Sequence, residues 1–351
     1  MNVKPLFQLM VEKQASDLFF APFAPVKIKI DGKIMSVNKL ELTPKQVRQA
    51  AMEIMTEEQM EALARDLEID FAVSETGLGR FRVNVFHQRG NLAMVLRYIT
   101  AEMPTLDELG MPPILADLIL NRRGLILMVG STGSGKSTTI AAMINYRNRK
   151  TASHIITIED PIEFLHKNQK SIVNQRELGL DTRSYHHALR SALRAAPDLV
   201  MVGEIRDVET MQAALNIAGT GQLAVATLHS NNAPETLDRI INMFPVAQQK
   251  QVFIDLSQYL KAIISQRLVR NREGKRVAAV ELMLNTPHIA ELIEKGDIVG
   301  VKEAMKGSSE KGMQNFDQAL LKLYRMGTIT LQEALVNADS RSNLEAQINF
   351  G

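Results

Sequence analysis

Gly124-Leu125-Ile126-Leu127-Met128-Val129-Gly130-Ser131-Thr132-Gly133-Ser134-Gly135-Lys136-Ser137 is an unbroken apolar run that enters a glycine-rich turn, and a helical pattern follows through Asn148. Residues 130–137 fit G-x-x-x-x-G-K-[ST], with the strand before and the helix after that the pattern requires. By chance the pattern alone arises in roughly one chain per hundred of this length. Glycines let the backbone turn its N–H groups toward phosphate oxygens, and the helix N-terminus adds positive potential. The reading is a nucleotide phosphate loop made of Gly130, Ser131, Thr132, Gly133, Ser134, Gly135, Lys136, Ser137 and Thr138. Lys136 is expected at the β/γ-phosphates, Ser137 on Mg²⁺ and Thr138 at the α-phosphate.

Working outward, apolar runs alternate with amphipathic helical patterns. Strands are expected at Ile155–Glu159, Leu199–Gly203 and Leu223–Leu228, and helices around Tyr185–Ala195 and Val208–Ala218. Such alternation implies an α/β domain with a buried, largely parallel sheet and helices on both faces. Ligands of such sheets sit at the carboxyl ends of the strands. Two acidic segments fall there. Ile158-Glu159-Asp160-Pro161-Ile162-Glu163 delivers three carboxylates, and Leu199-Val200-Met201-Val202-Gly203-Glu204 is a Walker B-like strand. A carboxylate near the γ-phosphate can orient or deprotonate the attacking water, and one nearer Mg²⁺ holds its hydration shell. Glu204 is expected beside the metal through water, and Glu163, at the far end of its segment, is expected to be the base. His229 in Thr227-Leu228-His229 ends the next strand and is expected to sense the γ-phosphate.

Residues 1–100 read as a smaller α+β domain. A first helix ends near Gln14, short strands follow at Asp17–Phe20, Val26–Ile30 and Lys33–Val37, and Asp31-Gly32 forms the hairpin turn. Thr43-Pro44 and Thr56 with Gln59 are helix starts, and longer strands are expected at Gly79–His87 and Asn91–Ile99. Residues 101–113, rich in proline and acidic residues, read as a linker, and 114–351 as the second domain. Beyond Ala233 the chain reads as mostly helical, with one hairpin near Arg270–Arg276. The 41 basic and 39 acidic residues leave a net charge of +2, and only 5% of residues are aromatic. That composition gives no groove for stacking and phosphate contacts, so a nucleic-acid partner is not expected. There is no cysteine, which excludes disulfides, thiol nucleophiles and thiolate zinc sites. No apolar run approaches the ~18 residues of a spanning helix, and the N-terminus does not read as an export signal. A cytoplasmic protein that meets a membrane only through partners is the expectation.

Taken together, these segments resemble the secretion and type IV pilus motor ATPases over nearly the whole chain. Ala15-Ser16-Asp17-Leu18, Arg80-Phe81-Arg82-Val83-Asn84, the phosphate loop, the Glu159–Glu163 segment, Val202-Gly203-Glu204-Ile205-Arg206-Asp207, Thr227-Leu228-His229 and Gly312-Met313-Gln314-Asn315-Phe316-Asp317 carry the likeness. The absence of cysteine and the length of 351 residues fit the retraction branch, PilT/PilU. The resemblance implies PAS-like N-terminal domains on RecA-like P-loop ATPase domains, an ATP- and Mg²⁺-dependent homo-hexamer, and action at the cytoplasmic face of the inner membrane on the pilus platform protein. It also implies that Arg82 and Arg97 reach a neighbouring subunit's nucleotide. The main retraction motor carries arginines where this chain has Ala290 and Glu294, and the family's histidine stands where it has Gln222. Both departures are similar to the accessory PilU-like branch, which would work with the main retraction ATPase. A regulatory ring subunit that hydrolyses weakly is the alternative.

Overall fold

The computed structural model describes the chain apart from Met1, Asn2, Asp31, Thr100, Ala101, Ser308, Ser309, Lys311 and Gly351. Asp31 of the expected hairpin turn therefore lies outside the described residues, as does Ala101 of the expected linker. The chain divides into two units: Met1–Glu102 with Glu163–Leu165, and Met103–Ile162 with His166–Gly351.

The first unit comprises α1 (Lys4–Glu12), β1 (Asp17–Phe20), β2 (Pro25–Ile30), β3 (Lys33–Glu41), α2 (Pro44–Ile54), α3 (Glu57–Asp66), β4 (Glu68–Glu75), β5 (Gly79–Gln88) and β6 (Asn91–Ile99). Its antiparallel sheet has the order β3-β2-β1-β6-β5-β4. Both expected helix starts form capping boxes, Thr43 with Gln46 and Thr56 with Gln59, which satisfy amide groups that a helix N-terminus leaves open. Alternate residues of β5 and β6 (Phe81, Val83, Val85, Met94, Leu96) are buried against Phe7, Val47 and Ala50 of the helices. Phe7 stacks on Phe81 with ring centroids 4.4 Å apart. The opposite face of the sheet is charged: Arg82 stands directly across from Arg97, and Arg97 across from Asp17.

The second unit holds α4 (Ile114–Ile119), β7 (Gly124–Val129), α5 (Lys136–Lys150), β8 (His154–Glu159), β9 (Ile172–Glu177), α6 (Tyr185–Ala192), a 3₁₀ turn (Leu193–Ala195), β10 (Leu199–Val202), α7 (Val208–Gly219), β11 (Leu223–Leu228), α8 (Ala233–Met243), α9 (Val246–Tyr259), β12 (Leu260–Arg270), β13 (Arg276–Leu284), α10 (Pro287–Glu294), α11 (Ile298–Lys306), α12 (Phe316–Arg325), α13 (Leu331–Asn337) and α14 (Arg341–Phe350). The sheet order is β13-β12-β7-β11-β10-β8-β9, and every pair is parallel except β12 with β13. Every residue of β7, β10 and β11 is buried. Their side chains alternate between two cores. Leu125, Leu127 and Val129 pack with α7–α9, whereas Ile126 and Met128 pack with Ile140, Met143 and Ile144 of α5. Leu106 and Met111, from the segment expected to be a linker, are buried in this second core. The unit is the RecA-like P-loop fold that the sequence pointed to.

Two features exceed the sequence reading. β12 and β13 are full strands of the main sheet rather than a local hairpin, and β12 lies directly beside β7. The chain leaves β7 toward β8 on one side, and after β11 it crosses to β12 on the other. The end of β7 is therefore a topological switch point, where open α/β sheets place their ligands. Among the described residues no helix is long and apolar enough to cross a membrane.

Candidate nucleotide site

The phosphate loop joins the end of β7 to α5, and Gly135 occupies the helix N-cap with φ 86°. A side chain there would be strained, and its Cβ would lie 2.8 Å from Gln266 Nε2. Lys136 Nζ folds back on its own loop and donates to Gly130 O at 2.7 Å and to Ser131 O at 2.9 Å. This curls the backbone around the ammonium. Ser137 and Thr138 follow on the first helical turn, half-buried. The Ser134 hydroxyl is buried without a hydrogen-bond partner among the described residues. Residues 130–134 line a cavity of about 250 Å³ together with Asn231 and Arg267. Open amides, a cation within the loop and an unsatisfied hydroxyl fit a polyphosphate.

The ends of β8, β10 and β11 bring the acidic and imidazole groups together. Glu204 Oε1 lies 2.9 Å from His229 Nε2, and Arg206 donates to Oε2 through Nε at 2.7 Å. Arg206 Nη1 also stands 3.8 Å from Asp160. Facing a carboxylate, His229 Nε2 carries the ring hydrogen. The backbone holds these groups close. The Thr227 hydroxyl donates to Gly203 O at 2.5 Å, and Gly203 N donates to Ile158 O at 2.7 Å. A Cβ on Gly203 would lie 2.9 Å from the Tyr185 hydroxyl and 3.0 Å from Ile158 O, so only glycine fits. Burial, reinforced by Asp160 and other nearby carboxylates, pushes the Tyr185 phenol well above its usual range. Glu204 and His229 thus sit side by side at neighbouring strand ends.

Other sequence-singled residues are placed differently. Glu159 is turned into the fold, where it accepts from Thr157 Oγ1 at 2.6 Å and Gln175 Nε2 at 3.0 Å. Glu163 is exposed and belongs to the first unit. Arg82 is ion-paired with Asp70, and Arg97 Nε donates to Asp17 at 2.9 Å. Gln222 lies at the start of β11 and accepts from Thr220 Oγ1 at 2.7 Å. It is six positions from Leu228, about 20 Å along the strand from the end that carries His229. No cluster of three or more His, Cys, Asp or Glu able to hold a metal exists among the described residues. Mg²⁺ bound through phosphates, water and one or two protein groups needs none, and Ser137 with Glu204 suits that donor set.

Sequence reading missed two groups. Gln266 is buried against the phosphate loop, and Glu281 is 3% exposed. Glu281 Oε1 accepts from Ala233 N at 2.7 Å and Ser265 Oγ at 2.9 Å, and so ties β13 to the start of α8 behind the His229 loop. Burial raises its pKa from 4.5 to about 7 despite those bonds. The folded state therefore prefers the protonated acid. The stability this contributes is full below pH 4.5 and is lost as pH rises to about 7. Glu281→Gln keeps the acceptor and removes the ionisation. At pH 8 it is expected to raise the melting temperature by a few degrees, for a gain on the order of 2 kcal/mol. The gap should close as pH falls below 4.5, and an equal shift on the two sides of the 4.5-to-7 window would refute the ionisation account.

Comparison with known proteins adds relatives to this geometry. The family profile described as "Type II/IV secretion system protein" matches residues 2–336. The "Type IV pilus ATPase PilU" of Pseudomonas aeruginosa is 50% identical over 352 residues, covering 100% of this chain and 92% of that protein. The "Type IV pilus retractation ATPase PilT" of the same organism is 40% identical over 98% of this chain and 100% of its own length. The crystal structure of the pilus retraction motor PilT with bound ADP superposes with a TM-score of 0.92 at 44% identity, covering 98% of this chain and 99% of that one. With the family profile spanning nearly its whole length, the chain belongs to the type II/IV secretion system ATPase family, among the relatives that include PilU and PilT.

Proposed function

We propose that the protein is an Mg²⁺-dependent ATPase that works as a ring, a homo-hexamer, in type IV pilus retraction at the cytoplasmic face of the inner membrane, as an accessory to the main retraction ATPase. The observation that carries this reading is the phosphate loop on the same sheet edge as the joined Glu204–His229–Arg206 cluster. Lys136 leaves the loop carbonyls for the β/γ-phosphates, and the loop amides hold the phosphate oxygens. Mg²⁺, when bound with the nucleotide, would neutralise phosphate charge, with Ser137 and water held by Glu204 as its protein contacts. Glu163 takes the proton of the attacking water. His229, fixed through Nε2 on Glu204, reports the γ-phosphate to the Walker B strand. Arg82 and Arg97 stabilise transferred charge in a neighbouring subunit, which requires each to exchange its Asp70 or Asp17 partner for phosphate.

Gln222 does not favour the weak-hydrolysis alternative, because it stands at the far end of β11 from the chemistry. The accessory role rests on α10. Ile289 and Ile293 are buried, Glu294 is exposed, and Ala290 shares its face. That face offers no cation to an acidic docking partner. In a strain lacking the main motor, this chain alone is expected to give no pilus retraction, and adding the main motor should restore it. Robust retraction without any form of the main motor would refute the accessory reading.

A further inference from the structure

We propose that Gln266 is a positioning residue of the phosphate loop, one that turns the Ser134–Gly135 peptide so that the Gly135 N–H is presented to an anion; this rests on the nucleotide reading above. Gln266 is 2% exposed on β12. Its Nε2 donates to Ser134 O at 2.8 Å, and its Oε1 accepts from Thr139 Oγ1 at 2.8 Å. The two contacts fix the carboxamide's orientation, since a flipped amide would set oxygen against oxygen at Ser134.

In a trans peptide the C=O and the following N–H point in opposite directions. With the Ser134 carbonyl drawn to Gln266, the Gly135 N–H must point away from it. That N–H donates to no group among the described residues, as an amide awaiting a phosphate oxygen should. The strand backbone presses on the same loop. A Cβ on Gly130 would lie 2.5 Å from Gln266 O, and one on Gly135 would lie 2.8 Å from Gln266 Nε2. The two invariant glycine positions of the G-x-x-x-x-G-K-[ST] pattern, Gly130 and Gly135, thus lie against one residue, which holds the loop between β12 and the first turn of α5. Thr139 completes the brace from the helix side.

The test compares the full chain with Gln266→Glu, Gln266→Met and Lys136→Ala. The measurements are ADP affinity by calorimetry, KM and kcat for ATP, and the melting temperature without nucleotide. Gln266→Glu sets a carboxylate oxygen against the Ser134 carbonyl and should weaken ADP about tenfold or more. Gln266→Met keeps the volume and removes the hydrogen bonds without adding charge. It should weaken ADP about threefold to tenfold, raise KM more than it lowers kcat, and lower the melting temperature by only a few degrees, the cost of leaving Ser134 O and Thr139 Oγ1 unpaired. A folded Gln266→Met variant with wild-type ADP affinity overturns the proposal. So does loss of folding in both Gln266 variants, which would make the residue a support of the fold alone. Failure of the wild-type chain itself to bind ADP would instead remove the nucleotide reading.

Discussion

Lys136→Ala should lower ATP turnover by about a hundredfold or more, the scale of losing a group aimed at transition-state charge. Within residues 130–137 Lys136 is the single cationic side chain. Its ammonium bonds Gly130 O and Ser131 O, so it already stands at the mouth of the loop on a flexible stem. Those carbonyls are neutral partners, and a β/γ-phosphate oxygen is a stronger acceptor for an ammonium. Alanine leaves the loop amides and the helix N-terminus in place, so weakened nucleotide binding can persist while hydrolysis fails. Steady-state phosphate release on the purified chain reads the effect. Turnover within twofold of wild type would show that the phosphate loop is not the hydrolytic site.

Much of this arrangement is legible in the sequence, for physical reasons. β7, β10 and β11 are buried on both faces, so their sequences are continuous apolar runs, and the residues that end them have to be polar or small. That is why Gly130, Glu204 and His229 stand out. β4 and β9 do not stand out, because they lie at sheet edges. Glu68–Glu75 and Ile172–Glu177 mix charged with apolar residues and lack a clean period. β12 was hidden differently. Ser265, Gln266 and Arg267 interrupt its apolar pattern because each serves a distant group: Glu281 of β13, Ser134 of the loop, and Asp339 near the C-terminus at 2.7 Å. Such pairings span from 16 to more than 100 residues and leave no local signal. The Gln222 departure shows the opposite limit. Its place in the family motif suggested chemistry, but strand direction sets it at the wrong end of the sheet.

Strand direction and hydrogen bonding also bear on the two remaining carboxylates. Both oxygens of Glu204 are already engaged, one by His229 and the other by Arg206, and its side chain is only 17% exposed. A carboxylate so occupied is suited to holding a fixed geometry and poorly suited to taking a proton, whereas Glu163 is exposed and makes no such contacts among the described residues. Glu204→Gln places an NH₂ group where the carboxylate received two donors, so either His229 or Arg206 meets a donor and must move. Turnover should fall about a hundredfold. Its Mg²⁺ dependence should shift to higher concentration, because the group expected to hold the metal's water has lost its charge. Glu163→Gln should bind ATP with wild-type affinity and an unchanged Mg²⁺ requirement, yet turn over slowly, as loss of a base alone predicts. The two variants are separated by titrating Mg²⁺ at saturating ATP. If Glu163→Gln hydrolyses normally and Glu204→Gln is slow with an unaltered Mg²⁺ dependence, Glu204 is the base, and its contacts with His229 and Arg206 must open during turnover.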